Sequence, residues 1–214
     1  MNSNQKKIAI AAIGAIVLAL AFYFLYWVKT PTYSIGLIKD AVEKHDVVSF
    51  QKRVDMDTLY SKVFDDFIIV SAKTSGQDIS RDSLAFAFAQ MFKPPIVNAL
   101  KERTLEAVKG EDKTNTDKNT NSDIDQIRQQ YEDILALQQV TVKDVSVLDT
   151  KENIANIAVK IHNKKYNKDY EIHVEMHKAD DGYWTVKEIT NFVDFLLQIE
   201  SDQAVYDAAT AQAK

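Results

Sequence analysis

Hydrophobic positions fall into three regimes along this chain: one unbroken run, then stripes at helical spacing, then alternation by twos. The run comes first. Ile8 to Val28 is a stretch of 21 residues without a charge, preceded by Lys6-Lys7 and ending in Phe22-Tyr23-Phe24-Leu25-Tyr26-Trp27. A helix rising about 1.5 Å per residue needs about 20 apolar residues to cross a hydrocarbon core of about 30 Å. Eleven of the 21 are Ile, Leu, Val or Phe. At a few tenths of a kcal/mol each they favour insertion by about 3–6 kcal/mol. A cleaved signal peptide has a shorter apolar core and a small-residue exit. This run exits through Leu25-Tyr26-Trp27-Val28-Lys29, which predicts an uncleaved anchor.

Helical spacing follows. Thr30-Pro31 ends the span, because proline disfavours helix at the residue before it. Tyr33, Leu37, Ile38, Ala41 and Val42 then mark a helix. Asp46 is placed to cap a short helix carrying Val47, Phe50 and Val54. Asp55, with Thr58 three residues on, caps a third helix with Leu59, Val63, Phe64, Phe67 and Ile68 as its stripe, ended by Gly76. A fourth is predicted from Ser83 to Phe92, with Leu84, Phe88, Met91 and Phe92 on one face. A fifth runs from Ile96 to Val108 and stops at Gly110. Residues 110–122 offer nothing to bury and read as a flexible polar loop. Ser122 and Asp125 then open a helix carrying Ile124, Ile127, Tyr131, Ile134 and Leu135.

From Val140 the period is two. Val140–Leu148, Asn153–His162, Tyr170–His177 and Tyr183–Thr190 read as strands joined by short turns, which makes an antiparallel meander. Ala155, Ile157, Val159 and Ile161 alternate with Asn156, Ala158, Lys160 and His162, so one sheet face packs on helices and the other is polar. Asn191 to about Ala208 returns to helix. The expected architecture is α+β: an N-terminal transmembrane helix, several helices on a four-stranded antiparallel sheet, and a C-terminal helix. Residues 1–29 form the cytoplasmic tip and anchor; residues 30–214 form one extracytoplasmic domain.

Charge gives the anchor a direction. All 31 acidic residues follow Lys29, as do 23 of the 26 basic ones, so residues 30–214 carry a net charge of −8. The positive-inside rule places Lys6 and Lys7 in the cytoplasm and the domain outside, with Tyr26 and Trp27 at the outer interface. So acidic a domain repels nucleic acid, which requires a basic footprint. The absence of cysteine excludes disulfides and thiolate ligands. Ala11, Ala15 and Ala19 either fill an ordinary anchor, the favoured reading, or form a small-residue ridge where a second helix can approach closely.

The segment Thr30-Pro31-Thr32-Tyr33-Ser34-Ile35, followed by Ile38-Lys39-Asp40-Ala41, Asp46, Phe50 and Val54-Asp55-Met56-Asp57, resembles the start of an uncharacterised bacterial family of single-anchor proteins, domain of unknown function 2939. Phe92-Lys93-Pro94-Pro95 and Trp184-Thr185-Val186-Lys187-Glu188-Ile189 are also similar to it. The resemblance spans most of residues 30–192 and implies a single-anchor protein with an exterior domain, with no activity or functional residue to carry over; the expected location, from the anchor and its flanking charge, is the cytoplasmic (inner) membrane. The order of helices then sheet also resembles, by analogy only, the cone fold of nuclear transport factor 2, which hosts enzymes and binders alike.

Candidate chemistry is sparse. His173-Val174-Glu175-Met176-His177 lacks the H-E-x-x-H order, and on a strand its two histidines stand about 13 Å apart. A hairpin centred near Tyr166-Asn167 sets His162 opposite Glu171 and Lys160 opposite His173, which leaves His162 and His173, with Glu171, as the candidate metal ligands against the alternative of a solvated strand face. Asp55 and Asp57 read as helix-start acids, and Asp65 with Asp66 as the carboxylate pair to inspect for acid–base work. The aromatics Tyr60, Phe64, Phe67, Phe86, Phe88, Phe92 and Trp184 either pack the core, the favoured reading, or line an apolar pocket between helices and sheet, with Phe86, Phe88 and Trp184 as the ligand-binding candidates. There is no P-loop, dinucleotide fingerprint or nucleophile elbow, so no cofactor is expected. The reading is a membrane-anchored, non-catalytic protein- or ligand-binding module. Its expected partners are the bilayer through residues 8–28 and another envelope protein or an apolar ligand. The alternatives are an envelope enzyme with an Asp or His in its cavity, and an oligomerisation module.

Overall fold

The computed structural model describes residues 3–76, 80–81, 83–111 and 140–212. Helix α1 (Ser3–Leu25) is the apolar segment, followed by a 3₁₀ turn at Trp27–Lys29. The stretch Ala12–Lys29, which runs from α1 through that turn, is long and apolar enough to cross a membrane and is almost entirely uncovered by the rest of the chain. The polar loop from residue 112 onward and the helix expected after Ser122 lie outside the described residues.

Local chemistry starts each of the next helices. Thr30 accepts a hydrogen bond from Tyr33 N–H at the head of α2 (Pro31–Glu43), where Pro31 fits because the first turn needs no donor. Asp46 accepts from Ser49 N–H and caps α3 (Val47–Arg53). Asp55 accepts from Thr58 N–H and caps α4 (Met56–Thr74). Ser83 caps α5 (Leu84–Ala89), and a 3₁₀ turn at Gln90–Phe92 leads into α6 (Lys93–Lys109). Pro94 and Pro95 therefore open α6. Gly110 closes it in the left-handed region, at φ 73°. A Cβ there would lie 2.7 Å from His45 Cε1, and His45 Nδ1 is 2.8 Å from the carbonyl of Val108.

The sheet is a four-stranded antiparallel meander: β1 (Val140–Lys151), β2 (Ile154–Asn163), β3 (Lys168–Lys178) and β4 (Trp184–Ile189), in that order. Helix α7 (Phe192–Gln212) closes the chain. The helices cover one face. Ala41, Phe50, Val54, Met56 and Val108 pack on Ala155, Ile157, Met176, Trp184 and Val186. Val63, Phe67 and Val70 of α4 meet Ile161 and Tyr170 of the sheet and Phe192, Phe195, Leu196 and Ile199 of α7. Phe64, Ile96 and Val97 join α4 to α6. Asp55 N–H donates to the carbonyl of Val186, 3.0 Å away, tying the α3–α4 corner to the edge of β4.

Three sequence expectations need correction. The β2–β3 hairpin is centred between Lys165 and Tyr166, two positions off the expected register. His162 faces Asp169, Lys160 faces Glu171, and His173 faces Ala158. The cause is the Asn163 side chain, which accepts from the N–H groups of Lys165 and Tyr166 and closes a four-residue loop, with Asn167 at φ 52°. Second, the Leu84/Phe88/Met91/Phe92 face looks outward: Leu84 is 87 % exposed and Phe88 65 %. Phe86, off that face, is the aromatic that α5 buries. Third, Ala158 on the polar side of β2 is itself buried, between Ser146 and His173.

Candidate functional site

The three aromatics expected to line one pocket are dispersed. Phe86 is buried and Phe88 lies in the open. Trp184 sits at the far end of β4, where the chain leaves α1. Its indole Nε1–H donates to the carbonyl of Lys29 at 2.8 Å, and its backbone N–H donates to Ser34 Oγ at 2.9 Å. Ser34 is fully buried, and Val28 and Pro31 are buried beside it.

The β3–β4 turn completes this junction. Gly182, at φ 81°, lets the Lys29 side chain pass close over the backbone. The Lys29 ammonium lies 3.8 Å from the centroid of the Tyr183 ring and donates to the carbonyl of Asp181. Arg53 stacks at 4.4 Å from the same ring and pairs with the Asp181 carboxylate at 2.9 Å. Burial pushes the Asp181 carboxyl up, but the Tyr183 N–H, Arg53 and Lys29 outweigh it and hold it below its ordinary range. The exit from α1 is thus held by two hydrogen bonds from Trp184 and a cation seated on an aromatic ring.

Beside this junction lies a cleft of about 410 Å³. Tyr26, Trp27, Trp184 and Val147 give its apolar walls; Lys178, Thr32 and Thr150 supply polar groups. Its size falls within the range of small-molecule sites. The Lys178 ammonium is 6.0 Å from the Trp184 ring and has no carboxylate partner among the described residues, where the hydroxyls of Thr32 and Thr150 are likewise unpaired. A second, polar hollow of about 270 Å³ between α2 and α3 is lined by Leu37, Asp40, Lys44, Asp46, Ser49 and Lys52, several already engaged with one another.

The other candidate residues are held in local pairs. His162 Nδ1 is 2.6 Å from Asp169, His173 Nε2 is 2.9 Å from Glu171, and His177 Nε2 is 2.6 Å from Glu175. His162 and Lys143 hold the Asp169 carboxyl below its ordinary range. Among the described residues no three His, Asp or Glu side chains converge on one point suited to a metal. Asp65 pairs with Lys93 at 2.8 Å and accepts from Gln90. Asp66 is buried and pairs with Arg81 at 2.6 Å; burial raises its carboxyl, against the pull of Arg81. Neither aspartate lines either hollow. Asp55 is held by Lys187 besides its cap, and Asp57 pairs with Lys101.

Lys29, Ser34, Arg53, Asp181 and Tyr183 were not singled out by sequence reasoning. The one local signal is the Asp180-Asp181-Gly182 turn delivering Tyr183-Trp184 next to the sheet edge. Comparison with protein-family models, curated proteins and solved structures finds no match to this chain.

Proposed function

We propose that this chain is a single-pass membrane protein whose domain, residues 30–214, binds a partner or ligand at the membrane surface without catalysing a reaction. The N-terminus lies in the cytoplasm and the domain outside, in keeping with Lys6 and Lys7 before the span and the −8 charge after it. One observation carries the reading. The cleft of about 410 Å³ opens where the apolar helix ends, and it joins aromatic walls to the Lys178 ammonium and the Thr32 and Thr150 hydroxyls, which make no hydrogen bond or ion pair with the described residues. Unpaired polar groups beside apolar walls suit recognition, where a few polar contacts fix a largely apolar ligand. The acid–base candidates, by contrast, are engaged in ion pairs and line neither hollow.

Photocrosslinking in cells tests it, with a benzophenone amino acid at Val147 in the cleft and at Lys160 or Glu175 on the polar strand face. Capture of a protein or lipid from at least one position is expected. An empty result from all three defeats the proposal. Orientation has its own readout, because the chain has no cysteine. A cysteine introduced at Ser146 should react with an impermeant maleimide in intact cells or spheroplasts, and one introduced at Asn4 should not. The reverse pattern overturns the orientation.

A further inference from the structure

The cleft beside Trp184 has a composition that selects among ligand classes. Two of its walls, Tyr26 and Trp27, follow directly on the helix that is long enough to span a bilayer. Rings of this kind settle at the headgroup level of a membrane. A cleft sharing those walls therefore opens into the interfacial layer rather than into bulk solvent. Val147, 42 % exposed, and the Trp27 ring, in a residue 49 % exposed, give it an apolar side. The polar side consists of donors: the Lys178 ammonium and the hydroxyls of Thr32 and Thr150. The nearby Lys29 ammonium is engaged with Tyr183 and Asp181 and contributes its alkyl stem and local positive charge. Among the described residues no carboxylate lines the cleft.

We infer that this cleft is a binding site for a phospholipid of the bilayer. Its phosphodiester is held by Lys178, Thr32 and Thr150, and its glycerol and upper acyl segment lie against Trp27, Tyr26 and Val147. The inference rests on the anchored-binding reading above and names the ligand. A phosphate supplies acceptor oxygens for all three donors, and charge-assisted hydrogen bonds are the strong kind. A free polar anion would leave the apolar walls unused; an apolar molecule would leave the donors unpaired. Because the domain as a whole is acidic, recognition is confined to one lipid entering the cleft, and general adsorption to anionic surfaces is not expected.

The test uses the full-length chain reconstituted in nanodiscs of phosphatidylethanolamine and phosphatidylglycerol, with the benzophenone amino acid at Val147 and, as a control, at Glu171 on the polar strand face. Intact-mass analysis after irradiation should give a phospholipid adduct at Val147 and little at Glu171. Lys178→Glu should lower the adduct yield about tenfold, the factor for losing one charge-assisted hydrogen bond. Thr150→Val, which keeps the shape and removes one hydroxyl, should lower it about threefold. Equal adduct at Val147 and Glu171, or a yield at Val147 unmoved by both substitutions, overturns the lipid assignment. Capture of a protein instead of lipid from Val147 in cells also overturns it while leaving the binding-module reading intact. Capture of nothing at Val147, Lys160 or Glu175 in cells removes both.

Discussion

Ser34→Ala removes one oxygen from the junction between span and sheet, and its effect can be worked out in advance. Ser34 is fully buried on α2, and its Oγ is the acceptor for the buried backbone N–H of Trp184 at 2.9 Å. Alanine leaves that N–H without a partner, at a cost of about 1–3 kcal/mol. Alanine is also the better helix former, which returns up to about 0.5 kcal/mol. The net expected loss is about 0.5–2.5 kcal/mol. The assay is equilibrium unfolding in urea of the full chain in detergent micelles. The chain has 2 tryptophans, so a Trp27→Phe background leaves Trp184 as the sole indole reporter, next to the altered bond. The unfolding midpoint should fall with an unchanged slope. Ser146→Ala, at an exposed position of β1, is the control and should stay within about 0.5 kcal/mol of the parent. If the two substitutions give equal midpoints, the Trp184 N–H finds another partner and the junction does not depend on Ser34.

Three further outcomes follow from separate parts of the fold. Gly110→Ala should destabilise by about 1–3 kcal/mol, since φ is 73° and the new Cβ meets His45 2.7 Å away, whereas Gly36→Ala, with open space at its Cβ, should stabilise α2 by about 0.5–1 kcal/mol; thermal unfolding separates them. Burial raises the Asp55 carboxyl, but Lys187 and Thr58 outweigh it and keep it below its ordinary 3.8, so its contribution is present above that value and is lost as pH falls through the folded pKa. Asp55→Asn should therefore flatten the acid limb of stability in urea titrations from pH 7 to pH 3, and Asp55→Ala should in addition lose about 1 kcal/mol at pH 7 with the cap. Replacing the outward Leu84 and Phe88 by lysine should change stability by less than about 0.5 kcal/mol each in urea unfolding; a large loss of stability would mean that the face is covered.

Features carried by neighbours in sequence were legible. Asp46, Asp55 and Ser83 each cap the helix that follows, because a cap needs only a side chain and an N–H three residues on. Strand alternation and short turns gave the meander its order. The β2–β3 register was missed because it hangs on the Asn163 side chain, which shifts the loop by its own hydrogen bonds. In α5, periodicity identified a shared face but not the direction it looks: Leu84 and Phe88 face outward and Phe86, off that face, goes inward instead. The junction around Trp184 was the least visible part. Its bonds join Ser34 and Lys29 to a residue 150 and 155 positions away, and no local pattern encodes such a pairing.

The Trp184–Lys29 bond ties the end of the apolar helix to the sheet, and that bears on what the proposed anchor could transmit. A domain on a loose tether sweeps a hemisphere and forgets the attitude of its stem. Here the indole holds the 3₁₀ turn that follows the stem, so a roll or tilt of the helix would be passed to the sheet edge. The span acts as a tiller. With α1 in a bilayer, as proposed, any event that turns it, whether a change in thickness or a second helix alongside, would re-aim the polar strand face.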